Sequence, residues 1–206
     1  GTATYTSGSG TNQLTFTYTV GSGHQSDDLD FVGVNSLQGT IKDLAGNSNA
    51  STKTLDTPAA AGSLGAERAY VIDGVAPSLV SAATNAGESK ITLTFDESMV
   101  IPDGFEASNF TLAGQANTTV SSVAAGESAS EIVLSLSKPT LNASGQNIEV
   151  TYSPGETDAQ QITDANGNPF SAGSDAISVV LTPDETAPTV VSVTTDAAAG
   201  TYGQNQ

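Results

Sequence analysis

The side chains best suited to chemistry in this chain are aspartates that recur within two short signatures. The first signature, Asp-x-x-Gly-Asn, occupies residues 43–47 and again residues 164–168. The second, Asp-x-x-Ala-Pro, occupies residues 73–77 and again residues 184–188. Carboxylate oxygens are preferred ligands of Ca²⁺, which takes about 6–8 oxygens in a flexible geometry. Because the ordered pair of signatures occurs twice, it indicates a tandem array of similar modules.

The spacing of the signatures allows each pair to meet at a joint between modules. A strand plus a loop or two between the two signatures of a pair would return the chain to the same end of a module. We therefore expect Asp43 and Asp73 to hold Ca²⁺ at a first joint. At a second joint we expect Asp184, Glu185 and Asp164 to do the same.

Both signatures also have a purely structural interpretation. In Asp-x-x-Gly-Asn the Asp and Asn side chains hydrogen-bond nearby backbone and the glycine adopts a positive φ, which makes a tight turn without metal. In Asp-x-x-Ala-Pro the proline stiffens the entry to the next strand and holds the residue before it in an extended conformation. The sequence alone leaves both interpretations open.

Catalysis has little support in this sequence, and we expect no enzyme. The single histidine, His24, lies in a Gly- and Ser-rich stretch. Because the sequence contains no Gly-x-Ser-x-Gly nucleophile elbow, we expect His24 to be an exposed loop residue. Three aspartates lie close together in one loop: Asp27, Asp28 and Asp30. The simpler interpretation is that water solvates their carboxylates, without a functional site. Asp96 and Glu97 are neighbours at a strand end and face opposite ways, so a catalytic carboxylate pair is not expected.

The charge of the chain restricts its partners. It has 206 residues with 22 acidic and 5 basic side chains, a net charge of −17, and no cysteine. So few cations cannot line a phosphate track or bind anionic lipid head groups, so we expect no nucleic-acid binding. No apolar run approaches the length of about 18 residues that a membrane span needs, so we expect no membrane insertion. Absence of cysteine excludes disulfides and thiolate metal sites, and such a negative surface attracts divalent cations.

Alternating apolar and Ser/Thr residues predict an all-β fold. Period-two alternation fits sheets with one buried face and one wet face, and strand candidates separated by Gly, Asn, Asp or Pro are typical of β-sandwiches. Seven candidates lie in the middle of the chain, at residues 79–84, 90–95, 110–112, 119–124, 131–136, 147–152 and 176–181. A further hairpin is predicted within residues 1–20, and a single helical turn near residues 105–110.

The repeats predict three units that are out of register with the chain ends. Residues 187–195 (APTVVSVTT) restate residues 76–84 (APSLVSAAT), which open the middle module. We therefore expect residues 1–74 to be the C-terminal part of one module, residues 75–184 a complete sandwich, and residues 185–206 the opening strand of another.

Three stretches resemble the tandem bacterial immunoglobulin-like repeats of giant surface adhesins and related secreted proteins. They lie at residues 1–46, 60–73 and 184–201, while the middle module, with ITLTFDE at 91–97 and ITDANGNP at 162–169, resembles a second repeat subtype of bacterial cell-surface proteins. The resemblance implies tandem immunoglobulin-like β-sandwiches in a linear array. It also implies a secreted or cell-surface location and calcium at the junctions between modules.

Two classes of function follow from these patterns. The leading hypothesis is a structural spacer of a large secreted or surface-anchored bacterial adhesin-like or filament protein, with joints stiffened by Ca²⁺ and neighbouring modules as its partners. The alternative is a sandwich that binds a carbohydrate or a protein, although the chain has few aromatic side chains and no tryptophan for sugar stacking. A variant of the first hypothesis is a fibre in which another copy supplies the missing opening strands of the first module.

Overall fold

The structure is a computed structural model that describes residues 1–47, 54–140, 147–172, 176–183, 185, 189–192 and 194. Within these residues the regular structure is almost entirely β-strand, with one short α-helix and two single 3₁₀ turns. The expected all-β class is therefore confirmed. No helix of the described residues has the length and hydrophobicity needed to cross a membrane.

The N-terminal region, residues 1–75, contains two small ladders. Its elements are β1 (Thr4–Ser7), β2 (Thr15–Thr17), β3 (Gln25–Ser26), α1 (Leu64–Glu67) and β4 (Ile72–Asp73). Strands β1 and β2 form the expected antiparallel hairpin, and β3 pairs antiparallel with β4. Helix α1 begins at the N-cap Ser63, whose hydroxyl accepts the Ala66 N–H. The residue pattern did not predict this helix.

The central unit, residues 76–183, carries the main sheet. Each of the seven expected strands is present to within one residue at either end. The strands are β5 (Leu79–Asn85), β6 (Lys90–Phe95), β7 (Met99–Val100), β8 (Phe110–Ala113), β9 (Val120–Ala125), β10 (Glu131–Leu136), β11 (Ile148–Tyr152), β12 (Thr163–Asp164) and β13 (Ile177–Thr182). Seven of them pair in the order β8-β11-β13-β5-β6-β10-β9, and β7 and β12 form a separate two-stranded ladder.

Strand β5 connects the two halves of the main sheet. It pairs antiparallel with β6, and it runs parallel to the end of β13, where Ala83 lies opposite Val180. An irregularity between Leu79 and Ser81 shifts its register with β6. A bulge adds one residue to its strand and so shifts the alternation of side chains by one position. Leu79 and Ala82 therefore both reach the core, although residues three positions apart on a regular strand would face opposite ways.

A single apolar core draws on all seven strands of the main sheet. Burial alternates along β6, β10 and β11, as the period-two pattern predicted. At one end of this core Tyr152 stacks on Phe110 and Phe170, and Phe170 meets Phe95 edge to face. Because aromatic rings bury the most area per side chain, these rings fix the segment that carries Phe170.

Candidate functional site

The two Asp-x-x-Gly-Asn turns fold alike. In each, the carboxylate of the first residue accepts the backbone N–H and the side-chain amide of the last one. The oxygen–nitrogen distances are 2.8 and 2.9 Å for Asp43 with Asn47, and 2.8 and 2.7 Å for Asp164 with Asn168. The glycines Gly46 and Gly167 have φ near +90°, a conformation that favours glycine. The turn therefore needs no metal to form.

The surroundings of the two turns differ. Asp43 is exposed, whereas Asp164 is 1% exposed. The turn of Asp164 is fixed to the core on both sides, because the Ile162 N–H donates to the Tyr152 hydroxyl at 3.0 Å and Phe170 packs among the core aromatic rings. Strand β12 also pairs with β7, so the backbone of Asp164 is held in that two-stranded ladder.

Asp73 reaches this second turn from the N-terminal region. It ends β4, and one of its carboxylate oxygens accepts the Val75 N–H at 3.1 Å. Its other carboxylate oxygen accepts the side-chain amide of Asn166 at 2.8 Å, and its carbonyl accepts that of Asn168 at 3.2 Å. Hydrogen bonds thus cross the joint between the N-terminal region and the central unit.

Gly74 permits the close approach of the chain at this joint. A side chain at that position would run into the carbonyl oxygens of Gly21 and His24. The backbone instead continues the pairing of β3 and β4, since the Gly74 N–H donates to the His24 carbonyl at 2.7 Å and the Gly23 N–H donates to the Gly74 carbonyl. The joint is therefore anchored in the N-terminal region by backbone hydrogen bonds.

Three carboxylates converge at the joint. One oxygen each from Asp73, Glu97 and Asp164 lies within 4.8 Å of the others. Asp73 comes from β4, Glu97 follows β6, and Asp164 belongs to β12, so both sides of the joint contribute. The neighbouring Asp96 has a different role, because its carboxylate accepts the Ser78 N–H at 2.8 Å and holds the start of β5.

The electrostatics of this cluster are those of crowded negative charge. Burial, followed by the charges of Asp164, Asp73 and Asp96, raises the pKa of Glu97. For Asp164, burial raises the pKa, but hydrogen bonds from the Asn168 side chain and from the turn backbone outweigh it and hold the pKa below its usual value. Among the described residues the one ion pair is Lys90 with Glu88, so no ion pair neutralises the cluster.

The donor set fits a hard divalent cation. All three side chains offer oxygen, and the described residues add no imidazole or thiolate to the cluster. Two oxygens on opposite sides of a Ca²⁺ ion are about 4.6–5.2 Å apart, twice the usual Ca–O distance. The three cluster oxygens lie within 4.8 Å of one another, so none of their separations exceeds this range. The spacing is therefore compatible with oxygens that share one Ca²⁺ ion.

The structure groups the sequence-predicted residues differently from our expectation. Asp73 lies beside Asp164, which we expect at the second joint, and not beside Asp43. Whether these residues hold a metal stays a prediction. Asp43 is not a member of the cluster; its carboxylate is occupied within its own turn. Glu185 is exposed, and Asp184 lies outside the described residues.

Two residues were misjudged from the sequence. Glu97 was not among the predicted metal ligands, yet its carboxylate lies in the cluster with Asp73 and Asp164. The available signal was the pair of acidic residues that follows core strand β6. His24 was expected to be an exposed loop residue, but it is half-buried and stacks on Tyr18. Its Nδ1 lies 2.8 Å from the Tyr18 hydroxyl and accepts the Gly21 N–H.

Comparison with known proteins yields little. No family model matches the chain, and no curated protein matches it. A structural match is found to the crystal structure of the S-layer protein rSbsC(31-844), with a TM-score of 0.40 and 16% sequence identity. The match covers 53% of this chain and 14% of that chain, so this chain spans a small part of the S-layer protein's length.

Proposed function

We propose that this chain is a spacer segment of a secreted or surface-anchored bacterial protein, and that a Ca²⁺ ion stiffens the joint between its N-terminal region and central unit. The observation that carries the proposal is the convergence of Asp73 with Glu97 and Asp164 across that joint. A cation bound there would bridge two parts of the chain and relieve the repulsion of three carboxylates. Its role would be mechanical.

The strand order supports an immunoglobulin-like central unit. Strands β5, β6, β10 and β9 correspond to the A, B, E and D strands of that fold, and β8, β11 and β13 to its C, F and G strands. In this assignment β5 opens the unit beside the joint and β13 closes it. The repeat of residues 76–84 at 187–195 then supports units connected in series.

A spacer function also agrees with the surface of the chain. The described residues have one ion pair and an excess of acidic groups, as expected for a protein that stays soluble by self-repulsion. Two surface grooves, one beside Phe105 and one beside Phe170, are open to solvent. Neither joins the carboxylate cluster, since Asp73, Glu97 and Asp164 are absent from their linings.

The two matched turns provide the experiment. Calcium binding is measured by isothermal titration calorimetry for the wild type, Asp164→Asn and Asp43→Asn. In both variants asparagine keeps one acceptor oxygen for the backbone N–H of the turn and loses the acceptor of the side-chain amide, so the two turns are changed alike. Only Asp164 belongs to the cluster, so we expect Asp164→Asn to weaken binding at least tenfold and Asp43→Asn to leave it unchanged. Equal effects of the two substitutions, or no binding by the wild type, would refute the calcium site.

The mechanical part needs a separate measurement. Small-angle scattering and thermal melting are recorded with Ca²⁺ and with a chelator. We expect the chelator to lower the melting temperature and broaden the distribution of distances between the two parts of the chain. Scattering and melting curves that do not respond to the chelator would show that the cation, if bound, does not stiffen the joint.

A further inference from the structure

We propose that the N-terminal region is a strand acceptor, and that residues 189–192 and Thr194 of a second copy of this chain dock on it, alongside residues 69–71. The copies would then join head to tail. This inference concerns the backbone edge of residues 69–71 and does not depend on calcium.

The N-terminal region has apolar side chains but no apolar core. In its described residues, 1–47 and 54–75, the only buried residues are Ser63 and Gly74. Large apolar side chains that are 39–72% exposed lie on or close to the hairpin (Tyr5, Leu14, Phe16 and Val20) and just before β4 (Tyr70 and Val71). Because burial of apolar area is the main stabilising contribution to folding, a further element that covered Tyr70 and Val71 at this edge would be stabilised.

The segment before β4 has a partner on one edge. The Leu29 N–H donates to the Tyr70 carbonyl at 2.8 Å, and β3 pairs with β4 on the same side. Among the described residues no strand pairs with the opposite edge of residues 69–71. An open edge of this kind is a template for another strand.

The repeat within the chain identifies the strand that belongs there. In the central unit the end of β13, immediately before the second Asp-x-x-Ala-Pro signature, pairs in parallel with β5. When the two signatures are aligned, Val180 of β13 corresponds to Ala69, and Ala83 of β5 corresponds to Thr194. The pairing of Ala83 with Val180 therefore predicts that Thr194 of one copy lies opposite Ala69 of the next.

The same alignment predicts which side chains of the docked strand face inward. Val190 corresponds to Leu79, which packs against the core, and Val191 corresponds to Val80, which is 65% exposed. In the free segment both valines are solvent-accessible, at 81% and 94% exposure. Docking would therefore bury Val190 and leave Val191 in solvent.

Head-to-tail docking has a distinct consequence for assembly. The docking segment (the donor) and the edge of residues 69–71 (the acceptor) are different surfaces of one chain. Each docked copy therefore still offers a free acceptor or a free donor. Growth is then open-ended unless a ring closes. The net charge of −17 per copy opposes association. Salt at about 0.5 M shortens the screening length to about 4 Å and should favour assembly.

Sedimentation velocity of the whole chain tests the proposal, in about 0.5 M NaCl and with a chelator present so that calcium has no part. The wild type and Val191→Asp should show an average mass that rises with concentration, whereas Val190→Asp should remain at the 20.6 kDa of one chain. Both valines are exposed in the free segment, so neither substitution should disturb folding.

A mixing experiment tests the polarity of the contact. Val71→Pro, which removes a backbone N–H from the acceptor segment, should also abolish growth. A mixture of Val190→Asp, with an intact acceptor, and Val71→Pro, with an intact donor, should form a complex of two chains and stop there. A wild type that stays monomeric up to about 1 mM, equal behaviour of the two valine variants, or a wild-type dimer that does not grow would overturn the proposal.

Discussion

Replacing Glu97 by glutamine should change stability in opposite directions with and without Ca²⁺. In the calcium-free chain Glu97 is repelled by Asp73 and Asp164, with carboxylate oxygens up to 4.8 Å apart. One such pair costs about 0.9 kcal/mol at the dielectric constant of water and about 3.5 kcal/mol at an effective value of 20. Because the cluster is partly exposed and the raised pKa of Glu97 lessens its charge, we expect Glu97→Gln to stabilise by only about 1 kcal/mol.

With Ca²⁺ the same substitution removes a ligand. Bound Ca²⁺ stabilises the wild type by about 2.7 kcal/mol when its concentration is 100 times the dissociation constant. A tenfold loss of affinity removes about 1.3 kcal/mol of this, which exceeds the gain from relieved repulsion. The order of the two melting temperatures should therefore reverse when Ca²⁺ is added.

Melting followed by circular dichroism, in chelator and at a series of Ca²⁺ concentrations, measures both effects. A stability change of about 1 kcal/mol corresponds to about 2–4 °C in a chain of 150–250 residues. Glu156→Gln is the matched control, since it removes one charge from an exposed position of the same unit. A lower melting temperature for Glu97→Gln in chelator, or an unchanged response to Ca²⁺, would refute the proposed cluster electrostatics.

Three further predictions follow from the same geometry. Tyr152→Phe leaves the buried Ile162 N–H without its acceptor and should destabilise by about 1–3 kcal/mol in urea denaturation, whereas Tyr70→Phe, at an exposed ring, should change stability little. Phe170→Ala should cost about 3–5 kcal/mol by opening a cavity beside Tyr152 and Phe95, and a cost below 1 kcal/mol would show that the aromatic rings do not hold the turn. Calcium-free stability should fall as pH rises from about 4.5 through the raised pKa of Glu97, because the folded state binds more protons in that window. At lower pH the stability should instead rise with pH, because the pKa of Asp164 is lowered in the folded state. Glu97→Gln should therefore remove the pH dependence of stability only in the higher of these two pH ranges.

The strands could be predicted from the sequence because a single physical pattern specifies them. Alternation of apolar residues with Ser and Thr, as in residues 131–136, fixes which face is buried and hence the strand itself. The Asp-x-x-Gly-Asn turns were predictable for a similar reason, since their hydrogen bonds join residues at most four positions apart.

The composition of the carboxylate cluster could not be predicted, because it depends on contacts between distant residues. Asp73 and Asp164 are 91 positions apart, and their proximity depends on where the aromatic core places the second turn. The two turns have the same local signature, so nothing within them distinguished the buried Asp164 from the exposed Asp43. Glu97 was missed because its sequence neighbour Asp96 suggested a pair, whereas the fold gives the two carboxylates different partners.

Anomalous diffraction from crystals of the chain grown with Ca²⁺ tests the calcium joint most directly. The proposal predicts a peak at about 2.3–2.6 Å from carboxylate oxygens of Asp73, Glu97 and Asp164, and no peak beside Asp43. A peak coordinated from the central unit alone, without Asp73, would contradict a bridging role. No peak at the cluster, at a Ca²⁺ concentration that saturates binding in solution, would contradict the site itself.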